Sequence, residues 1–115
     1  MVNQVIVRNE VQSFFNDEVP KVHREVRNIW NRHGEGIQNR GLVDAAKENL
    51  ARVIEERICN CVNNLAQLSN QQMNRVNRHG EMGNLVWRII NDDNYTAQEA
   101  CDQIMSIVGE VIRNP

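Results

Sequence analysis

Aromatic residues make up only 4% of this 115-residue chain, so any core it builds is aliphatic. Proline and lysine each appear only twice. No apolar run approaches the roughly 20 residues that a bilayer-spanning helix needs, and no membrane partner is expected. The opening residues do not read as a signal peptide, because Asn3, Gln4, Arg8, Asn9 and Glu10 interrupt any apolar stretch. Charge is nearly balanced, with 13 Lys+Arg against 15 Asp+Glu and a formal net charge of −2. That balance excludes a globally basic nucleic-acid coat and a strongly acidic nucleic-acid mimic.

Cysteine is scarce as well. Cys59, Cys61 and Cys101 are too few, and odd in number, for a secreted disulfide framework. Cys59 and Cys61 stand one residue apart, which on a helix points their side chains about 200° apart and prevents a shared metal. Free, partly buried thiols in an intracellular, cytoplasmic compartment are the expectation. A Gly-rich phosphate loop, a nucleophile elbow and a His-Glu-x-x-His motif are all missing. The carboxylate pairs Asp17-Glu18, Glu55-Glu56 and Asp92-Asp93 are adjacent in sequence and exposed by pattern. The chain therefore reads as a non-enzyme, with no catalytic residue, cofactor or metal site.

Amides and arginine are what the chain has in quantity. Asn occurs 17 times and Gln 8 times, and Arg outnumbers Lys by 11 to 2. Arginine's planar fork suits carboxylate or phosphate and stays charged when partly desolvated. The bias fits a chain that docks onto something planar or anionic, or a helical protein laced with its own salt bridges.

Apolar periodicity reads as helix nearly everywhere. Asn3 can cap a first helix that buries Ile6, Val7, Val11, Phe14 and Phe15. Pro20 then either starts a second segment or kinks a longer one, with Val19, Val22, Val26, Ile29 and Trp30 on one face. His33-Gly34 is a C-terminal stop, and Glu35 to Gly41 reads as a loop. The longest helix is expected next, from about Val43 or Asp44, with Ala46, Leu50, Val53, Ile54, Cys61, Leu65 and Leu68 along its stripe. Ser69 to Gln72 is a capping box that bends or mildly breaks this rod, and Gly80 stops the following turns. Met82, Leu85, Val86, Ile89 and Ile90 keep helical spacing. A second capping box, Thr96 to Glu99, opens a last helix burying Ala100, Cys101, Ile104, Ile107, Val108, Val111 and Ile112. Asn114 and Pro115 remain as a tail.

The expected fold is all-α: a single domain over residues 1–115, a compact bundle of about five helical segments with one long central helix. A helix of 25 or more residues outruns a compact domain of this length, and the broad apolar stripes leave surface to cover. Both features point to a homodimer. Trp30, Trp87, Met105 and Ile112 are the candidate interface residues.

Two constellations stand out. Asn31-Arg32-His33-Gly34-Glu35 recurs as Asn77-Arg78-His79-Gly80-Glu81. One reading makes each copy a helix stop, with Arg and His at the negative end of the dipole and Gly as the cap. The other brings the two loops together, so that Arg32, His33, Arg78 and His79 hold an anion. A metal at His33, Glu35, His79 and Glu81 is disfavoured, because His-x-Glu spacing does not put two ligands on one helical face. The second constellation is a basic strip. Lys21, Arg24, Asn28 and Arg32 fall within about 80° on a helix, opposite Val22, Val26 and Trp30. Asn49, Arg52, Asn63, Gln67, Asn70 and Asn74 extend an amide-rich outer face, which is also how an ordinary solvated face looks.

Two functions follow from different classes. The first is a dimeric adaptor or inhibitor that works by contact with another protein, anchored by Arg and Trp. The alternative is a dimeric double-stranded RNA-binding protein that follows phosphates with the Lys21–Arg32 strip.

Overall fold

The computed structural model describes residues 4–34 and 37–113. Five α-helices and one 3-10 turn account for almost all of them. These are α1 (Gln4–His33), the 3-10 turn Ile37–Asn39, α2 (Arg40–Ala66), α3 (Asn70–Asn77), α4 (Gly80–Asn91) and α5 (Ala97–Arg113). The chain is all-α, as its periodicity predicts. The Asn3 cap, Glu35 and the Asn114-Pro115 tail lie outside the described residues.

The first departure from expectation is α1, which runs unbroken through Pro20 for 30 residues and is the longest helix. The fold therefore has two long helices rather than one. Pro20 is exposed, as is Asn16 one turn earlier. The carbonyl left without its backbone donor thus lies on the side of α1 that water reaches, where the loss is smallest. At the far end Gly34 takes a left-handed conformation (φ 76°), and its N–H donates to the Trp30 carbonyl at 2.8 Å. This is the glycine stop expected at that position. Helix α2 begins three residues before Val43, so Gly41 is helical and the loop is shorter than its composition suggests.

Both capping boxes form. At Ser69 the hydroxyl accepts from Gln72 N (3.1 Å) while the Gln72 side chain accepts from Ser69 N (2.9 Å). At Thr96 the hydroxyl accepts from Glu99 N (3.1 Å), and Glu99 Oε1 accepts from Thr96 N (3.3 Å). The break before Ser69 is made by Gln67, whose left-handed backbone (φ 53°) ends α2. Gly80, in contrast, stops nothing. It is the first residue of α4, and His79 is that helix's N-cap.

Helices α1 and α2 form an antiparallel hairpin, since Lys47 lies over Trp30 and Arg57 pairs with Glu18. Helix α5 returns along the first half of α1, joined by the Arg8–Asp102 ion pair. Helix α4 runs antiparallel to α5, with His79 bonded to Glu110 and Gln103 to Glu81. The core is aliphatic around Phe15, with Val11, Val22, Ile54, Ile58, Leu85, Ile89, Ile104 and Ile107 almost wholly buried. The result is an elongated slab, 51 × 24 × 18 Å, with a radius of gyration of 15.2 Å. A compact chain of this length has about 13 Å. The elongation reflects the lengths of α1 and α2, 30 and 27 residues.

Four further burial expectations are corrected. Ile6, Val53 and Ile112 are 58%, 42% and 39% exposed. In α2 the buried row passes through Ile54, Ile58 and Val62, and this turns Val53 outward. Glu18, expected at the surface, is 5% exposed because Arg57 reaches it from α2 at 2.6 Å.

Candidate interaction surfaces

The basic strip exists as a surface. Lys21, Arg24, Asn28 and Arg32 are all exposed on the outer face of α1. None of the four takes an ion pair among the described residues. From Lys21 to Arg32 the strip spans about 16 Å. Asn28 and Arg32 then meet Asn49 of α2 across a groove of about 380 Å³, which also contains Glu25. The amide face of α2 is less continuous than its spacing suggests. Arg52 opens onto the other flank of the helix, beside Asn60 and Asn77. Asn70 and Asn74 belong to α3, beyond the bend at Gln67.

The repeated segment does not assemble into one site. Trp30 and Asn91 both reach Lys47, so Arg32 and His33 sit near the C-terminal end of α4. Arg78 and His79 sit at the N-terminal end of that helix, about 18 Å away along its twelve residues. Arg78 is the exposed C-cap of α3. His79 is engaged on both ring nitrogens: Nδ1 accepts from Glu81 N at 3.1 Å, and Nε2 meets Glu110 Oε2 at 3.0 Å. Another histidine, His23, has the only buried side-chain polar atom without a hydrogen-bond partner among the described residues, its Nε2.

The candidate interface residues fall in three places. Trp30 is half-buried at the hairpin tip, its ring capped by the Lys47 ammonium at 5.1 Å. Trp87 is 38% exposed on the outer face of α4. It lines a groove of about 450 Å³ with Asn84, Asn91 and Gln103, together with Arg88, which stacks over the Tyr95 ring at 4.7 Å. Met105 and Ile112 lie two turns apart on α5, and Met105 lines a groove of about 630 Å³ between α5 and the start of α1.

The three cysteines are free thiols. Burial, with the Glu55 carboxylate adding to it, pushes Cys59 up to about 11. Burial also raises Cys61, helped by Glu10 and Cys101, and raises Cys101 against the opposing pull of Arg8. All three are thus held as neutral thiols rather than nucleophiles. Among the described residues no three His, Cys, Asp or Glu side chains converge to hold a metal. No helix among them is long and apolar enough to cross a membrane. Compared with protein-family models, curated proteins and solved structures, the chain matches none.

Two signals escaped the residue pattern. Val53 and Leu42, the latter 56% exposed, share the outer face of α2, which was legible only as an amide stripe. Nothing in the spacing marks the helical glycines Gly83 and Gly109. A Cβ at Gly83 would meet nothing within 4 Å, and at Gly109 only the tip of Arg113.

Proposed function

We propose that the chain is a non-enzymatic helical interaction protein, an adaptor or inhibitor that acts as a dimer through protein–protein contact. The observation that supports this best is Trp87. The core is closed without the outer edge of its indole, which lies beside an open groove walled by the amides Asn84, Asn91 and Gln103 and by the charged Glu81, Arg88 and Asp92. Its exposed 38% amounts to roughly 90 Å², or about 2 kcal/mol of apolar burial on docking. Gly83, one turn before it, adds no side chain beside the groove, and a Cβ there would meet nothing within 4 Å. Trp and Arg dominate interface hot spots, and Arg88 is already ordered over Tyr95 next to the indole.

The test uses the full chain immobilised as wild type, as Trp87→Ala and as the Arg24→Glu/Arg32→Glu double variant. Proteins retained by the wild type and the charge-reversed chain, and lost on Trp87→Ala, are the expected result. Retention that ignores Trp87→Ala overturns the reading.

A second reading, as a double-stranded RNA-binding protein, is favoured by the ion-pair-free strip at Lys21, Arg24, Asn28 and Arg32. Anisotropy of labelled double-stranded RNA, single-stranded RNA and duplex DNA at two salt concentrations separates the two. Binding that falls steeply with salt and disappears in Arg24→Glu/Arg32→Glu would put this reading first. Flat curves at low salt would retire it.

A further inference from the structure

The outward stripe of α5 reads Asp102, Ser106, Gly109, Arg113. At 100° per residue these four fall within about 60° of one another and line the floor of the α1–α5 groove. Met105 and Ile112 run along one edge of the stripe, the edge that faces α1. Gly109, like Gly83 in α4, is a glycine that its own helix does not call for. A glycine inside a helix costs about 0.5–1 kcal/mol relative to alanine. Gly109 has no left-handed backbone to justify it, and an added Cβ would find only Arg113 Nη1 at 3.6 Å. Nothing within the chain requires a glycine there; a close approach from outside would.

We propose that this groove seats a second copy of the chain, with α5 of each copy packed antiparallel against α5 of the other. The stripe is self-complementary. Reversed and laid on itself, it sets Asp102 opposite Arg113, Ser106 opposite Gly109, and each pair occurs twice about one two-fold axis. Asp102 already holds Arg8, so in the pair its carboxylate lies between two guanidinium groups. Arg113 takes no ion pair among the described residues, and the second copy supplies one. A parallel arrangement would oppose like charges at both ends. The small residues at the centre let the two backbones approach closely once Arg113 turns from Gly109 to Asp102 of the second copy. The same two-fold axis keeps both Met105–Ile112 edges on one side, where the four side chains cover one another. Between its outer pairs the seam is about 16 Å long. It is therefore small, and pairing should depend on protein concentration.

This inference rests on the dimeric part of the function proposed above, and the experiment separates the two. The full chain is followed by sedimentation velocity over a concentration series. Charge variants are made in an Arg8→Gln background, which removes the intrachain partner of Asp102. The wild type should approach the mass of two chains. Gly109→Met, which fills the groove while keeping the helix content by circular dichroism, should weaken pairing at least about tenfold. Arg113→Asp should do the same, and adding Asp102→Arg to it should restore pairing. A dimer unaffected by Gly109→Met, or a double swap that does not rescue, overturns this seam while leaving a dimer in place. The mass of one chain at every concentration overturns both the seam and the dimer.

Discussion

Arg57→Met tests the polar contact on which the α1–α2 hairpin depends most. Glu18 is 5% exposed, and Arg57 Nη1 at 2.6 Å is the donor that accompanies its carboxylate into the interior. A second nitrogen of Arg57 stands 3.9 Å from Glu25, so the guanidinium spans two turns of α1. Methionine keeps the aliphatic bulk and removes the charge. A buried pair that loses one partner costs about 3–5 kcal/mol, because the remaining charge is stranded. Arg57 is 30% exposed, so water can partly replace it, and the low end of about 3 kcal/mol applies. For a domain of this size each kcal/mol moves the midpoint by about 4 °C, giving a fall of about 12 °C. The control is Glu18→Leu/Arg57→Met, in which no charge is stranded; it should recover most of the loss. Thermal unfolding followed at 222 nm reads all three proteins. If Arg57→Met melts within about 2 °C of the wild type, or the double variant melts no higher than the single, the argument from a stranded carboxylate is wrong.

Ser69→Ala and Thr96→Ala each remove the hydroxyl half of a capping box and should lower stability by about 1 kcal/mol, read from denaturant midpoints. Because α3 has only eight residues, Ser69→Ala should also speed amide exchange there selectively. Cys59, raised from 9.0 to about 11 by burial and then by Glu55, should alkylate slowly at pH 8 and faster as pH climbs towards 11. The folded state favours the neutral thiol, so its contribution to stability is complete below about pH 9 and is lost as pH rises through about 11. Peptide-resolved alkylation rates with a midpoint near 9 would contradict it.

How much of this was legible in sequence depended on the range of the interaction. The caps at Ser69 and Thr96 are bonds between residues three apart, and local spacing specifies them. The strip on α1 was legible for a similar reason, since one helix face is fixed by its own periodicity. Glu18 was not, because its burial depends on a guanidinium 39 residues away. Val53 and Ile54 are adjacent apolar residues, and only the packing of α2 on α1 and α4 decides that Ile54 turns inward. Pro20 was ambiguous because its effect depends on whether the missing bond faces core or water. Trp30 carried no mark of the ammonium that covers it, since Lys47 comes from the opposing helix.

The repeated Asn-Arg-His-Gly-Glu segment shows how neighbours change the work of the same letters. After α1 the chain turns at Gly34, whose left-handed conformation ends the helix, and His33 lies half-buried in the last turn. After α3 a new helix starts at once, so the glycine is drawn into its first turn and the histidine becomes the cap. That role fixes the tautomer of His79. Nδ1 must be the bare nitrogen, because it accepts from Glu81 N, and the proton must sit on Nε2, where it can be donated to Glu110. Long-range nitrogen–proton correlation spectra of the neutral protein should show His79 as the Nε2–H tautomer, and Glu110→Ala should weaken that preference without unfolding α4. A His79 ring carrying its proton on Nδ1 would remove the cap. The second copy of the segment would then need another explanation for where α4 begins.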